Sequence, residues 1–164
     1  MNYKIVVYSW TGNTAACAVS LQNHMDIDAF LLVEEKERRG NQGFALGGTQ
    51  ASLGVKSKVK ELPDLSDTDV LILGMPLWAG TTPPAINTFL QQCDINGKKV
   101  YAFCTQQSRD ASKKLERKLS RVVTKKGGAF LHLFVMRVPH GKQLSVEDAG
   151  KITEKWAERI RAGG

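Results

Sequence analysis

Cysteine, histidine and long apolar runs are scarce in this sequence. Its 164 residues include Cys17, Cys93 and Cys104, which are far apart and form no Cys-x-x-Cys pair, and three scattered histidines. This spacing predicts buried, reduced thiols and no metal site, as expected of a cytoplasmic protein. No apolar run approaches the ~18 residues of a membrane span. A strand-like segment begins almost at the first residue, so we expect no signal peptide.

Acidic residues are also in the minority. The chain has 16 Asp and Glu against 23 Lys and Arg, which gives a formal net charge of +7. Such a surface favours acidic proteins, nucleic acid or anionic membranes as partners. A hydrophobic content of 42% with a mean hydropathy of −0.24 is typical of a globular protein. The length fits one domain over residues 1–164, with enough chain to bury a full core.

Apolar strand patterns alternate with helical periodicities along the chain. Strands are predicted at Tyr3–Tyr8, Ile27–Val33, Asp69–Gly74, Lys99–Thr105 and Ala129–Val135, and helices at Asn13–His24, after Pro83, at Ala111–Lys125 and after Ser145. The predicted inward-facing helix residues are Ala16, Cys17, Val19, Ser20, Ile86, Phe89, Leu90, Cys93, Ala111, Leu115, Leu119, Val122, Ala149, Ile152, Trp156 and Ile160. With right-handed crossovers, this order predicts an α/β fold, a three-layer, doubly wound sheet of five parallel strands.

The alternation breaks between the second and third strands. A charged run ends at Arg38 and Arg39, and the stretch Gly40–Gly54 contains five glycines. We expect a long loop here, with a helical turn around Gln50–Leu53, rather than a regular crossover helix. Long glycine-rich loops in compact domains are often functional or mobile. The stretch contains no GxGxxG and no GxxxxGK[ST], so it predicts neither a dinucleotide fingerprint nor a P-loop. One of the two arginines could reach back to a phosphate.

The segment Ser9-Trp10-Thr11-Gly12-Asn13-Thr14 follows the first strand and opens the first helix. The positive end of the helix dipole and free backbone N–H groups make such a turn an anion site. Ser9, Thr11, Asn13 and Thr14 add short polar side chains for phosphate oxygens, and Gly12 permits a close backbone approach. The turn contains no Lys or Arg, so it predicts a polar but uncharged phosphate loop.

Two further loops should meet this turn, because ligands of doubly wound sheets bind beyond the carboxyl ends of the strands. The loop after the third strand offers Pro76, Leu77, Trp78, Ala79 and Gly80, and the loop after the fourth offers Thr105, Gln106 and Gln107. Trp78 is an aromatic plane that can stack on a flat ring, or else a side chain packed under its loop. Trp10 could cover the ligand or point to solvent. A phosphate site, an aromatic plane and neutral polar groups together suit a mononucleotide with a planar ring.

The first two loops resemble those of flavodoxins. Ser9–Thr14 resembles their FMN phosphate loop, and Met75–Gly80 followed by Pro83-Pro84 resembles their flavin-flanking loop. The resemblance covers essentially the whole chain and is weaker at Cys104–Ser108. It implies the strand order 2-1-3-4-5 and non-covalent binding of FMN for electron transfer. The FMN contacts it implies are Ser9, Trp10, Thr11, Gly12, Asn13, Thr14, Pro76, Leu77, Trp78, Ala79, Gly80, Thr105, Gln106 and Gln107.

The chain departs from that family in its charge, since flavodoxins are typically acidic. No carboxylate occurs in the three loops before Asp110. We therefore expect a less negative reduction potential than in acidic flavodoxins.

Other families of similar shape lack their defining residues here. A response regulator needs an acidic phosphoacceptor where this chain has Gly74-Met75. A low-molecular-weight phosphatase needs one more residue than the chain has between Cys104 and Arg109, and after a different strand. The GxSxG motif of serine hydrolases is absent.

Three functions remain open. The first is an FMN-binding electron carrier that serves a redox partner. The second is an FMN-dependent NAD(P)H oxidoreductase acting on a quinone- or porphyrinogen-like substrate, with the Gly40–Gly54 loop as a lid. The third is a non-redox binding module that uses a basic helix face. That face comprises Arg109, Lys113, Lys114, Arg117, Lys118, Arg121, Lys125 and Lys126. If it docks a partner, we expect an acidic redox protein rather than nucleic acid.

Overall fold

The computed structural model describes residues 1–36, 49–51, 53–107 and 111–163. In this part of the chain, five parallel strands form one sheet in the order β2-β1-β3-β4-β5. The strands are β1 (Tyr3–Tyr8), β2 (Ala29–Leu32), β3 (Val70–Pro76), β4 (Lys99–Gln106) and β5 (Ala129–Arg137), and the helices are α1 (Asn13–Met25), α2 (Pro84–Gln92), α3 (Ser112–Lys125) and α4 (Val146–Gly163). The predicted fold class and strand order are confirmed.

The sheet is covered by helices on both faces, which explains why its central strands are apolar throughout. Val6 and Leu71 lie in one core cluster, which also contains the inner faces of α2 and α3. Ile5 and Ile72, one position along, lie in the second cluster with the inner faces of α1 and α4. The alternation of side chains along each strand therefore supplies two cores from one sheet.

Gly74 in β3 leaves room for the aromatic ring of Phe103 in the neighbouring strand. A Cβ atom at Gly74 would lie 2.2 Å from the ring of Phe103. That ring is fully buried and packs against Trp156 of α4 at a centroid distance of 5.7 Å. The small residue in the middle of β3 is therefore required by packing across the sheet.

Side chains complete the ends of two helices. Ser145 and Asp148 form a reciprocal capping box at the start of α4, since the Asp148 N–H donates to Ser145 Oγ at 3.0 Å and the Ser145 N–H to Asp148 Oδ2 at 3.3 Å. Hydrogen bonding of the Asp148 carboxylate to the Ser145 side chain, and to the Ser145 backbone N–H, lowers the pKa of Asp148. The Nζ of Lys126 donates to the carbonyl oxygens of Leu90 and Cys93 at 2.8 and 2.6 Å, at the end of α2. A cation suits this negative end of the helix dipole.

Some inward-facing residues were predicted wrongly. Val19 is 42% exposed and Ile152 is 43% exposed. Helices α1 and α4 pack side by side through a hydrogen bond of 2.8 Å between the Ser20 and Thr153 hydroxyls. Because Ser20 and Thr153 face each other in this contact, the residue before each of them lies about 100° away around its helix and turns outward. In α3, Val123 is fully buried and Val122 only partly.

Several predictions fall on residues outside the described ranges. These are Arg38, Arg39 and most of the Gly40–Gly54 loop, together with Ser108, Arg109 and Asp110. Within that loop, residues 49–51 are helical, close to the predicted turn.

The three cysteines are free and buried, as predicted. Burial raises the pKa of the Cys17 and Cys104 thiols to about 12. None of the described helices is long and apolar enough to cross a membrane.

Replacing Gly74 with alanine should lower the free energy of unfolding by about 1–3 kcal/mol, because the added methyl group displaces the Phe103 ring. Gly150 is the matched control, since it lies in α4 and a Cβ there meets nothing within 4 Å. Gly150→Ala should raise the free energy of unfolding by about 0.5–1 kcal/mol. Urea denaturation of both variants measures this, and equal effects would contradict the packing described for Gly74.

Candidate functional site

The carboxyl ends of the strands open into a cleft of about 720 Å³. Its lining comprises Trp10, Thr11, Asn13, Pro76, Leu77, Trp78, Ala79, Gly80, Thr105, Gln106, Gln107, Ala111, Val138, Pro139, His140, Gly141, Lys142 and Gln143. The three loops expected from the sequence therefore converge. Of the residues predicted there, Ser9, Gly12 and Thr14 do not line the cleft themselves.

The β1–α1 turn presents the N-terminus of α1 without a side-chain cap. Gly12 is the N-cap residue and has φ +92°, a conformation that glycine adopts without strain. In the described chain, the backbone N–H groups of Gly12, Asn13 and Thr14 donate no intramolecular hydrogen bond. Ser9 Oγ instead accepts from the Ala15 N–H at 3.1 Å. The helix thus begins with free donors and the positive end of its dipole, the features that bind an anion.

Two of the polar side chains expected to reach a phosphate are engaged within the protein. Thr14 Oγ1 is buried and lies 2.8 Å from Thr105 Oγ1, so it joins the start of α1 to the end of β4. Asn13 Oδ1 accepts from the Leu144 N–H at 2.7 Å. The sequence identified the residues that build this turn, and these two oxygens also join it to neighbouring loops. The contacts of Asn13 and Thr14 with a phosphate stay a prediction.

The loop between β5 and α4 forms a fourth wall that the sequence analysis missed. Gln143 Nε2 donates to the Thr11 carbonyl oxygen at 2.7 Å and lies 3.1 Å from the position a Cβ of Gly12 would occupy. The same loop brings His140 and Lys142 to the cleft. A cation therefore does line the cleft, although none occurs in the β1–α1 turn. This wall could have been predicted from the order of the strands, because the parallel strand β5 ends at the same edge of the sheet as β1, β3 and β4.

The indole of Trp78 is only 4% exposed and forms part of the floor of the cleft. Tyr8 and Trp10 contact it edge to face, at centroid distances of 5.7 and 6.1 Å. Trp10 is half-buried against the same cluster, so it does not simply point to solvent. The alternative in which Trp78 packs under its loop fits this burial, and Trp10 is the more accessible aromatic plane.

The loop after β3 is a tight turn with main-chain groups at the cleft. Trp78 and Thr81 exchange two backbone hydrogen bonds, of 3.2 and 2.9 Å. Between them, Ala79 has φ +48° and Gly80 has φ +73°. Two successive positive φ values define a type I′ turn. An alanine in this region carries backbone strain, which is frequent at ligand sites.

Lys118 of α3 supports this turn from behind. Its Nζ donates to Thr81 Oγ1 at 3.0 Å, Thr82 Oγ1 at 2.5 Å and Asn87 Oδ1 at 3.1 Å. Partial burial lowers the pKa of Lys118, and the charge of Lys114 lowers it further. Within the described residues no carboxylate pairs with it. Lys118 therefore acts as a structural hydrogen-bond donor rather than as part of a solvated basic face.

The cleft is neutral to positive. Among the lining residues that the structure describes, Lys142 and His140 are the titratable side chains, and there is no Asp or Glu. The remaining lining is backbone, amide, hydroxyl and aromatic. Such a site favours an anionic ligand with a large apolar part.

Lys118→Met should lower the free energy of unfolding by about 1–3 kcal/mol, because Thr81, Thr82 and Asn87 lose a shared donor while the side-chain volume is kept. Lys125→Met is the matched control on the exposed side of the same helix and should change stability by less than about 0.5 kcal/mol. Chemical denaturation compares the two. Equal effects would show that the hydrogen bonds of Lys118 contribute little.

Comparison with known proteins agrees with this architecture. The family model for flavodoxin matches residues 49–136, more than half of the chain. No curated protein matches the chain significantly.

Solved structures of similar fold cover nearly the whole chain. A Bacteroides uniformis protein assigned as a flavoprotein superposes with a TM-score of 0.75 at 19% identity, covering 96% of this chain and 97% of its own. A Lactobacillus acidophilus flavoprotein in complex with FMN gives 0.69 at 18%, covering 82% and 92%. The Streptococcus pneumoniae TIGR4 flavodoxin gives 0.61 at 19%, covering 100% of both chains. At these identities of 18–19%, the structural likeness shows a shared fold. Membership of the family is shown by the family model, which matches more than half of the chain. The chain belongs to the flavodoxin family.

Proposed function

We propose that this protein binds FMN without covalent attachment in the cleft and carries electrons between redox partners. The observation that carries the proposal is the convergence on one cleft of an uncapped helix N-terminus, a strained main-chain turn and an accessible aromatic plane. FMN supplies the redox chemistry, and the protein binds it and tunes its potential. The similar Lactobacillus acidophilus structure is a complex with FMN, which supports the same ligand here.

The phosphate end of the ligand belongs at α1. The proposed donors are the free N–H group of Asn13, which lines the cleft, and those of Gly12 and Thr14 beside it in the same turn. The hydroxyl of Ser9, behind them, can still donate its hydrogen. Main-chain donors would therefore replace most of the side-chain contacts expected from the sequence. Lys142 supplies the positive charge that the turn itself lacks.

The ring end of the ligand belongs between the Trp78–Thr81 turn and the end of β4. The turn offers the peptide groups of Ala79 and Gly80, and Lys118 holds it from behind. Thr105, Gln106 and Gln107 close the cleft on the β4 side. We assign the stacking role to Trp10, because the indole of Trp78 is already covered by Tyr8 and Trp10.

The groups in the cleft suffice for an electron carrier, whereas an enzyme that acts by acid–base chemistry would require more of them. General acid–base catalysis needs a titratable group held at the reacting atoms. In the described lining only Lys142 and His140 titrate, and both lie on the β5–α4 loop. An electron carrier needs no such group.

The purified protein should retain yellow flavin bands after FMN is added and the sample is desalted. Binding of FMN should be at least about a hundredfold tighter than binding of riboflavin, because only FMN places a phosphate at α1. Lys142→Met should weaken FMN binding by about two- to fivefold, as expected of an exposed cation. Lys151→Met in α4 is the matched control and should have no effect.

Titrations of both flavins by fluorescence quenching separate the possible outcomes. If Lys142 faces the phosphate, Lys142→Met leaves riboflavin affinity unchanged; if it faces the ring, both affinities fall together. A protein that retains no flavin, or that binds riboflavin as tightly as FMN, would refute the proposed site.

The reduction potential of the bound flavin should be less negative than in acidic flavodoxins. Reduction adds negative charge, and the described lining contains no carboxylate to oppose it. Lys142→Glu should therefore make the potential more negative, whereas Lys151→Glu should not. Spectroelectrochemical titration measures this, and a very low potential in the unsubstituted protein would contradict the charge argument. Steady NAD(P)H oxidation without any partner would instead favour the oxidoreductase alternative.

A further inference from the structure

The solvent side of α3 carries an unusual row of cations. Lys113, Arg117, Arg121 and Lys125 are all exposed and follow one another at spacings of four residues, so they are neighbours on the helix surface. Together with the exposed Lys114 they form what we call the α3 ridge. In the part of the chain that the structure describes, none of the five forms an ion pair. The lysines of this helix region that serve the fold, Lys118 and Lys126, are not part of the ridge.

The α3 ridge is unfavourable for the helix that carries it. Like charges four residues apart repel, and cations in the first turn oppose the helix dipole. The first turn of α3 contains no acidic residue to offset Lys113 and Lys114. Lys125, in the last turn, is placed favourably to the dipole, but helix stability does not explain the other four cations of the ridge.

Comparison with α4, on the other face of the sheet, shows that the excess of positive charge is local to α3. The α4 sequence balances its cations with acids, namely Glu147, Asp148, Glu154 and Glu158 against Lys151, Lys155, Arg159 and Arg161. In α3, Glu116 is the acidic residue among the cations. The positive charge of the chain is thus concentrated on the face made by α3.

The ridge begins at the mouth of the cleft. Ala111, the N-cap residue of α3, lines the cleft. The Cδ atom of Lys114 lies 3.5 Å from the position that a Cβ of Gly80 would occupy, and Gly80 also lines the cleft. A protein seated on the ridge would therefore touch the rim of the cleft.

We propose that the α3 ridge is the docking surface for an electron-transfer protein with a carboxylate-rich surface. The proposal rests on the proposed function, because the position of the ridge at the cleft gives a redox partner access to the bound flavin. Charge complementarity selects the partner and speeds its encounter, and added salt weakens both. Because the ridge is continuous with the cleft, its position suits a protein that exchanges electrons with the bound flavin. Binding of nucleic acid would not require contact with the rim of the cleft.

The test uses soluble cytochrome b5, an acidic haem protein, as the probe. Its affinity for the oxidised protein is measured by calorimetry and should fall steeply between about 20 and 200 mM salt. Arg117→Glu/Arg121→Glu should weaken binding by about tenfold or more at low salt. Lys151→Glu/Lys155→Glu makes the same change of charge on α4 and should weaken it by less than about twofold.

Unfolding cannot account for the expected loss. In Arg117→Glu/Arg121→Glu, one introduced carboxylate lies four residues after Lys113 and the other lies four residues before Lys125, so two attractive pairs replace two repulsive ones. The pair at positions 117 and 121 stays repulsive, as in the unsubstituted protein. The melting temperature of this double variant should therefore match or exceed that of the unsubstituted protein. A second measurement follows transfer of one electron from the dithionite-reduced flavin to the ferric haem, which should slow in parallel with binding.

Three results would overturn the proposal. Equal losses in the two double variants would show only a response to net charge. Binding insensitive to salt would exclude charge complementarity. Tighter binding of a DNA duplex of about 20 base pairs, lost in Arg117→Glu/Arg121→Glu, would assign the ridge to nucleic acid instead. Absence of retained flavin would refute the proposed function separately, since the calorimetry does not depend on it.

Discussion

The parallel pairing of five strands is the constraint on which the site depends. Parallel strands place all their carboxyl ends at one edge, and helices on both faces fix the sheet between two cores. Every loop at that edge is therefore a potential wall of the same cleft. Four of them are used here, after β1, β3, β4 and β5. The chemistry of the site follows from which loops carry polar groups and which carry charge.

Hydrogen bonds between loops connect the walls of the cleft. Thr14 of α1 bonds to Thr105 of β4, and Asn13 bonds to the backbone of Leu144. These contacts occupy side-chain oxygens and leave the N–H groups at the start of α1 free. The arrangement keeps strong main-chain donors available at low conformational cost, because helix and sheet already fix their directions.

The sequence predicted the fold and the three principal loops because both depend on local patterns. Apolar runs, helical spacing and the segment Ser9–Thr14 are readable without knowing any long-range partner. The wrong or missing predictions concern residues whose position depends on contacts with distant parts of the chain. Val19 and Ile152 face outward, whereas the neighbouring Ser20 and Thr153 are buried and meet between α1 and α4. The fourth wall was missed because Gln143 has a role only once it is seen beside Thr11. No local pattern encodes either contact.

The lysines illustrate why composition alone does not give function. One basic helix face was predicted, yet the structure divides its residues by environment. Lys126 caps α2, and Lys118 holds the turn at the cleft, where partial burial lowers its pKa. Only the remaining exposed cations face solvent, in a row that opposes the stability of their own helix. A basic protein that uses its partly buried lysines for structure, and leaves other cations where they repel one another beside the cleft, has charge available for a partner of opposite sign. Among the described helices, the excess of positive charge is therefore localised on α3, and its position beside the cleft links it to the proposed FMN site.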